Sequence, residues 1–418
     1  MRKRPRLLLL ILSPIIFAAC SRNITPDRTQ FLKDGEVAPT VDLSYYKSVQ
    51  DRPGQDPNIA VAMAISGGGN RAANFGIGVM LGLEEILLEN GQDMLDQVDY
   101  LSTVSGGGFA GGAYINALYN HSYFNDEEPF SLKKYLDPDI REALTYSYLG
   151  TLLRANLNLW LYFTYVDDGD ALERAIDNWV LGYKKRKKLE LYGEDAPSIL
   201  LGDVFIPTES PRAVKYPMLI TNSSVVSTMT IFPFTPDILE RYQINGYTHR
   251  MKALKKERLD QYTIPLSVGI KASGSFPVFI SNTTLRTYYH PKRRFLHLID
   301  GAMTDNNGYY TAVELLKQEN TPKKILFIVD ADAAGNRYTF SKKERALWSL
   351  KVYSRLASSG LDARKALLER EVMEIRERFN IEPFFFSFNI LIRGNYAELP
   401  AKIIYEKESE RLIHIMKE

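Results

Sequence analysis

Apolar residues in this 418-residue chain collect into runs that end abruptly at glycines. Asn58-Ile-Ala-Val-Ala-Met-Ala-Ile65 is apolar after its first residue, with no polar alternation, the pattern of a parallel strand covered on both faces. It runs into Ser66-Gly-Gly-Gly-Asn-Arg-Ala-Ala-Asn74, after which residues 75–89 carry Ile77, Leu81 and Leu83 at helical spacing with acids on the other side. Residues 99–104 form a second short strand pattern that breaks at Ser105 into Gly106-Gly-Gly-Phe-Ala-Gly-Gly112, and residues 109–119 then read as a helix. Strand, glycine loop, helix, strand, turn and helix open a layered α/β fold. Strand character returns at residues 216–221, 294–299, 324–329 and 383–392, with a helix-to-loop segment at 264–280 and a charged helical pattern at 341–378.

Two stretches stand outside this rhythm. Residues 125–211 read as an insertion, with Leu and aromatic residues dense at 144–166 and the basic run Lys184-Lys-Arg-Lys-Lys188. They fit a core helix followed by a solvated charge run, or an amphipathic cap that meets a lipid surface. At the start, a basic hexapeptide, an apolar stretch to Phe17 and Ala18-Ala19-Cys20 form a secretory signal too short to span a membrane. Cys20 is the only cysteine. Just after Ala-Ala it matches a bacterial lipoprotein box, with lipidation at Cys20 and an anchor in the cell envelope, in the outer membrane because Ser21 and not Asp follows. The organisation expected is a signal at 1–19, a lipidated tether at 20–57, a catalytic domain at 58–335 and a C-terminal helical extension at 336–418 packed on that domain. A formal net charge of +2 gives no reason to expect nucleic acid as a partner.

The candidate chemistry sits at the glycine breaks. Ser105 stands where a strand turns sharply into a helix, the setting of an exposed nucleophile. Gly67-Gly68-Gly69 at a helix start offers N–H groups to an oxyanion, and Arg71 adds charge or anchors the loop. There is no Gly-Lys-Ser/Thr ending and no Gly-x-Gly-x-x-Gly fingerprint, which argues against a nucleotide site. For a base there are five histidines, at 121, 249, 290, 297 and 414, none in a recognisable turn, and His297 reads as a strand histidine. Asp300 and Asp330 end two strands instead, and the residue pattern alone leaves the choice between them open.

Three motifs in order resemble the patatin-like phospholipase family, related to the group IV cytosolic phospholipases. They are Gly67-Gly68-Gly69-Asn70-Arg71-Ala72, Val104-Ser105-Gly106-Gly107 and Asp300-Gly301-Ala302, with Ala272-Ser-Gly-Ser-Phe-Pro277 resembling a family stretch before the last. The resemblance implies an α/β/α sandwich on a mostly parallel sheet. It also implies a Ser105–Asp300 dyad without histidine, metal or cofactor, and hydrolysis of fatty acyl esters, chiefly of membrane phospholipids. Thr103 departs from the family's Gly-x-Ser-x-Gly elbow. A β-branched residue there is expected to crowd the helix after the turn unless Gly106, Gly107 and Gly108 make room. A non-catalytic lipid-binding or envelope-assembly protein, and an esterase of neutral lipids or thioesters, are the alternatives to a phospholipase.

Overall fold

In the computed structural model the described residues are 31–32, 56–89, 91–124, 129–157, 167–188, 198–205, 217–247, 258–259, 261–277, 279–287, 295–331, 371 and 374–388. The signal, Cys20, most of the tether and most of 332–418 lie outside them. Among the described residues nine strands form the central sheet: β1 Ile59–Ile65, β2 Tyr100–Thr103, β3 Met218–Val225, β4 Ile231–Phe234, β5 Ile244–Tyr247, β6 Thr283–Thr287, β7 Phe295–Asp300, β8 Lys323–Asp330 and β9 Ile381–Ser387. Their order is β9-β8-β1-β2-β3-β7-β6-β5, with β4 on β3. The first five in this order pair parallel, and the other pairings are antiparallel, so the sheet is mixed. β9 also carries the sheet past residue 335, where the catalytic domain was expected to end.

Helices α1 Asn70–Glu84, α2 Gly106–Phe124, α3 Tyr148–Leu157, α4 Asp168–Ala175, α5 Tyr183–Lys188, α6 Leu266–Ser273 and α7 Tyr309–Gln318 flank the sheet in the expected sandwich. α1 starts as soon as its glycines end and α2 at the first of its own, both several residues earlier than apolar spacing alone suggests. β1 and the end of β8 are solvent-free, as continuous apolar runs predict. The basic run is not uniformly solvated: Arg186 is buried, donating to Asn116 Oδ1 (2.7 Å) and Asn120 Oδ1 (3.3 Å) and lying over the Tyr119 ring. Asn116 and Asn120 are one turn apart on the buried helix α2, and Arg186 satisfies amides that would otherwise be costly there. Among the described residues no helix is long and apolar enough to cross a membrane.

Candidate active site

The register of β3 brings the candidate dyad together. β2 runs parallel to β3 and ends with Thr103 opposite Thr221, whereas β7 runs antiparallel and ends with Asp300 opposite Ser223. Two strand ends thus arrive beside one strand two residues apart. Asn222, between those positions and buried, fixes the end of β2 and joins it to α7: its Nδ2 donates to Ser102 Oγ (2.9 Å) and the Thr103 carbonyl (3.2 Å), and its Oδ1 accepts from Thr311 Oγ1 (2.7 Å). Gly301 is required here, because a Cβ would lie 2.1 Å from the Asn222 carbonyl oxygen.

Ser105 turns from β2 into α2 with φ 48°, a left-handed conformation that a non-glycine residue holds only under constraint. Its N–H donates to Ser273 Oγ (2.9 Å), and that hydroxyl donates to the Asn222 carbonyl (2.6 Å). The Ser105 side chain lies close enough to the Asp300 carboxyl to draw its pKa down. Asp300 is 1% exposed, takes a hydrogen bond from the Ala302 N–H (2.8 Å), and donates its own N–H to the Ser275 carbonyl (3.0 Å). Burial pushes its pKa up to about 6, against the opposing pull of the Ala302 N–H and of Ser105. The segment Ala272-Ser-Gly-Ser therefore supports both members, Ser273 under one and Ser275 under the other. Position alone gave these two serines no role, since serine in a small-residue loop is commonplace.

The glycine loop divides its duties. Gly67 is buried and donates its N–H to the Asn306 carbonyl (2.8 Å), so that donor is occupied and is not open to an oxyanion as expected. Gly68 (φ 143°) and Gly69 (φ 61°) adopt backbone that side chains disfavour. Among the described residues the N–H groups of Gly68, Gly69 and Gly106 donate to no protein acceptor. A Cβ on Gly106 would stand 2.2 Å from the Gly69 carbonyl oxygen and 2.7 Å from its nitrogen, so the loop and the elbow touch backbone to backbone. Gly107 does the same against the end of β1, 2.5 Å from the Ile65 carbonyl oxygen. Arg71 anchors the loop, its Nε donating to the Ala331 carbonyl beyond β8 (2.6 Å).

The crowding expected at Thr103 is absent, and the relief comes from Gly108, as expected, and from Gly111 farther along α2. Gly108 and Gly111 present bare Cα atoms to it, and a Cβ at Gly111 would lie 3.3 Å from the Thr103 methyl. The Thr103 hydroxyl donates to the Ile220 carbonyl (3.2 Å). Of the histidines, His121 bonds Tyr135, and His297 bonds Asn282 and Thr284 on the exposed face of β7; neither bonds the dyad. His249, His290 and His414 lie outside the described residues. Asp330 ends β8 beside β1 and β9, away from the Asn222 junction. Cavities of about 430 Å³, between α7 and β3, and about 270 Å³, beside Trp179, are lined by neither Ser105 nor Asp300.

A strained serine at a strand-to-helix turn, beside a buried carboxyl in an α/β sandwich, has the architecture of a serine hydrolase site. The chain belongs to the patatin-like phospholipase family, whose model matches residues 63–313. Among solved structures it is similar to VipD from Legionella pneumophila at 12% identity and TM-score 0.26, over 84% of this chain and 59% of that one. It is also similar to the human GIVD cytosolic phospholipase A2 at 13% identity and TM-score 0.29, over 73% of this chain and 48% of that one. The chain thus spans about half to three fifths of those structures, and likeness this low has no bearing on function. No curated protein matches by sequence.

Proposed function

We propose that the protein is a serine acyl hydrolase of the phospholipase A or lysophospholipase type, acting on fatty acyl esters of membrane lipids. The observation that carries this reading is the approach of Ser105, held left-handed at the elbow, to the buried carboxyl of Asp300, brought beside it by the register of β2 and β7 on β3. With a pKa of about 6, Asp300 is mostly ionised at neutral pH yet basic enough to take the serine proton as Oγ attacks the ester carbonyl. The oxyanion is held by the N–H groups of Gly68, Gly69 and Gly106, donors typically worth about 3–4 kcal/mol of barrier each. Asp300 returns its proton to the departing lysolipid oxygen, leaving an acyl ester on Ser105. It then takes a proton from water as that water attacks the ester, and passes it to Ser105 Oγ as the ester bond breaks and the fatty acid leaves.

The alternative of a non-catalytic lipid binder drew on Thr103 and on the extended C-terminal part, and the room that Gly108 and Gly111 leave removes the first motive. Ser105→Ala should abolish fatty acid release from phospholipid vesicles and from a p-nitrophenyl ester while the fold is kept, and a fluorophosphonate should label wild type at Ser105. Full activity in the variant, or folded wild type that resists labelling, would overturn the assignment. We also propose lipidation at Cys20 as the anchor to the outer membrane. Cys20→Ser should move the protein out of the membrane fraction, and unchanged fractionation refutes the anchor.

A further inference from the structure

Helix α3 has two apolar sides, and the fold uses one. Tyr148, Leu152 and Ala155 face inward and are buried, while Leu149, Leu153 and Leu157, spaced four apart on the outer side, are 65%, 55% and 79% exposed. Exposed leucines scattered singly need no explanation, but three in line on one helix face form a patch. The patch adjoins the candidate site. The Tyr148 ring packs edge-on against Phe109 at 4.8 Å, four residues past Ser105 in α2, and Phe109 abuts Gly274 of the supporting segment. A further large apolar side chain, Phe279, is 53% exposed in the loop after that segment. Two residues on, Ser281 bonds Asp168 at the start of α4, against which α3 packs.

Charge says what covers such a face. The sequence of α3, Tyr-Leu-Gly-Thr-Leu-Leu-Arg-Ala-Asn-Leu, has one arginine, Arg154, which is exposed, and no carboxylate. Beside it Tyr146 meets Tyr148 edge-on at 5.0 Å and stacks on Trp179 at 4.7 Å, and Lys184 Nζ lies 4.3 Å above the Trp179 ring. Nearby Asp137 and Asp139 are paired with Arg141 and Lys185. Leucines flanked by Tyr, Trp, Lys and Arg are the side chains of an interfacial helix, which sinks its apolar side among acyl chains with its cations at anionic headgroups.

We propose that the outer leucine face of α3, with Phe279 and Lys184 at its margins, docks the protein on an anionic lipid bilayer and holds the entrance to Ser105 against the acyl chains. The choice of a bilayer as partner rests on the lipid-ester reading above; the patch itself does not. The test uses the full chain with Cys20→Ser, which has no cysteine left, so that Leu153→Cys carries a single environment-sensitive NBD label. Glu314→Cys on α7 is the control, at the cavity beside Tyr100 and Met218 where β2 and β3 begin, the end of the sheet opposite Ser105. Vesicles of phosphatidylcholine and phosphatidylglycerol, three to one, should blue-shift the label at 153 and not at 314, with a weaker response to phosphatidylcholine alone.

Adding Leu149→Ser and Leu157→Ser should raise the lipid needed by about tenfold or more. In unlabelled protein the same pair should slow vesicle hydrolysis and spare a soluble short-chain ester. Three results would each overturn the proposal. One is a label at 153 that does not respond to vesicles. Another is a shift that follows protein concentration without lipid, which makes the face a contact between copies. The third is a label already blue-shifted before lipid is added, which means that the chain covers this face itself. Ser105→Ala separates the two readings: loss of hydrolysis with the response at 153 intact supports both, whereas a response at 153 in a wild type that cleaves no lipid sinks the hydrolase and leaves the docking face standing.

Discussion

Asp300→Asn should make the protein inactive and, above about pH 6, more stable. In the folded protein burial lifts the Asp300 pKa from 3.8 to about 6. That is roughly two units, and at 1.36 kcal/mol per unit the ionised carboxyl costs the folded state on the order of 3 kcal/mol. The sign follows from linkage. A carboxyl with a raised folded-state pKa binds its proton more tightly in the native chain, so stability falls as pH rises from about 4 to about 6 and stays lower beyond. Asparagine keeps an oxygen for the Ala302 N–H and an amide for Ser105, and it carries no charge. Asp170 and Glu173 are also held above their ordinary values by burial, and their contribution is common to both proteins. Urea denaturation of wild type and variant at pH 5 and pH 8 therefore isolates Asp300, with a gain for the variant of about 1–3 kcal/mol at pH 8 that shrinks toward pH 5. Loss of the proposed base should lower kcat by roughly 10²–10⁴. In wild type kcat/KM should rise with pH through about 6. A variant no more stable at pH 8 than at pH 5 relative to wild type, or one that keeps its activity, refutes the reasoning.

Gly106→Ala would push a methyl against the Gly69 peptide at 2.2 Å, so a loss of about 1–3 kcal/mol in urea denaturation should accompany the loss of activity; unchanged turnover would mean that loop and elbow are not in close contact. Ser273→Ala strips the Ser105 N–H of its acceptor and should cost about 1–3 kcal/mol and lower kcat more than it changes KM, a split that a purely global loss of stability does not produce. Thr103→Gly removes the hydroxyl bond to Ile220 and loosens β2, so it should destabilise by roughly 1–2 kcal/mol without raising kcat. A faster enzyme would show that threonine does strain the elbow.

The parts legible in the sequence are those with a local cause. Continuous apolar runs announce β1 and β8, and the glycines around Ser105 and after Asp300 mark places where backbone approaches backbone. Of the antiparallel wing only β7 was legible. β4 is four residues with Pro233 at its centre, β5 four with Gly246 at a register shift, and β6 is Thr-Thr-Leu-Arg-Thr, and none is long enough to show alternation. Gly67 looked equivalent to Gly68 and Gly69, and only the neighbouring Asn306 carbonyl distinguishes it. Arg186 left a faint signal in Asn116 and Asn120, two amides one turn apart on an otherwise apolar helix that had to find a partner.

The choice between Asp300 and Asp330 shows where local reading stops. Both aspartates end apolar strands that look alike, but β8 runs parallel between β1 and β9, so Asp330 leaves the sheet beside strands that do not carry Ser105. β7 comes to β3 from the opposite direction to β2, and their final residues fall opposite Ser223 and Thr221. Strand direction and register thus select the carboxyl that meets the serine. Because side chains alternate along a strand, a slip of one residue in β7 would carry Asp300 to the other face of the sheet. Three contacts oppose such a slip: the Asn222 carbonyl against Gly301, the Ser224 hydroxyl donating to the Asp300 carbonyl (2.9 Å), and the Asp300 N–H on Ser275. Asn222 at the same time grips the end of β2 through the Thr103 carbonyl. One strand residue therefore holds both ends, and the proposed dyad of two short side chains, with no third residue to take up slack, depends on that fixed spacing.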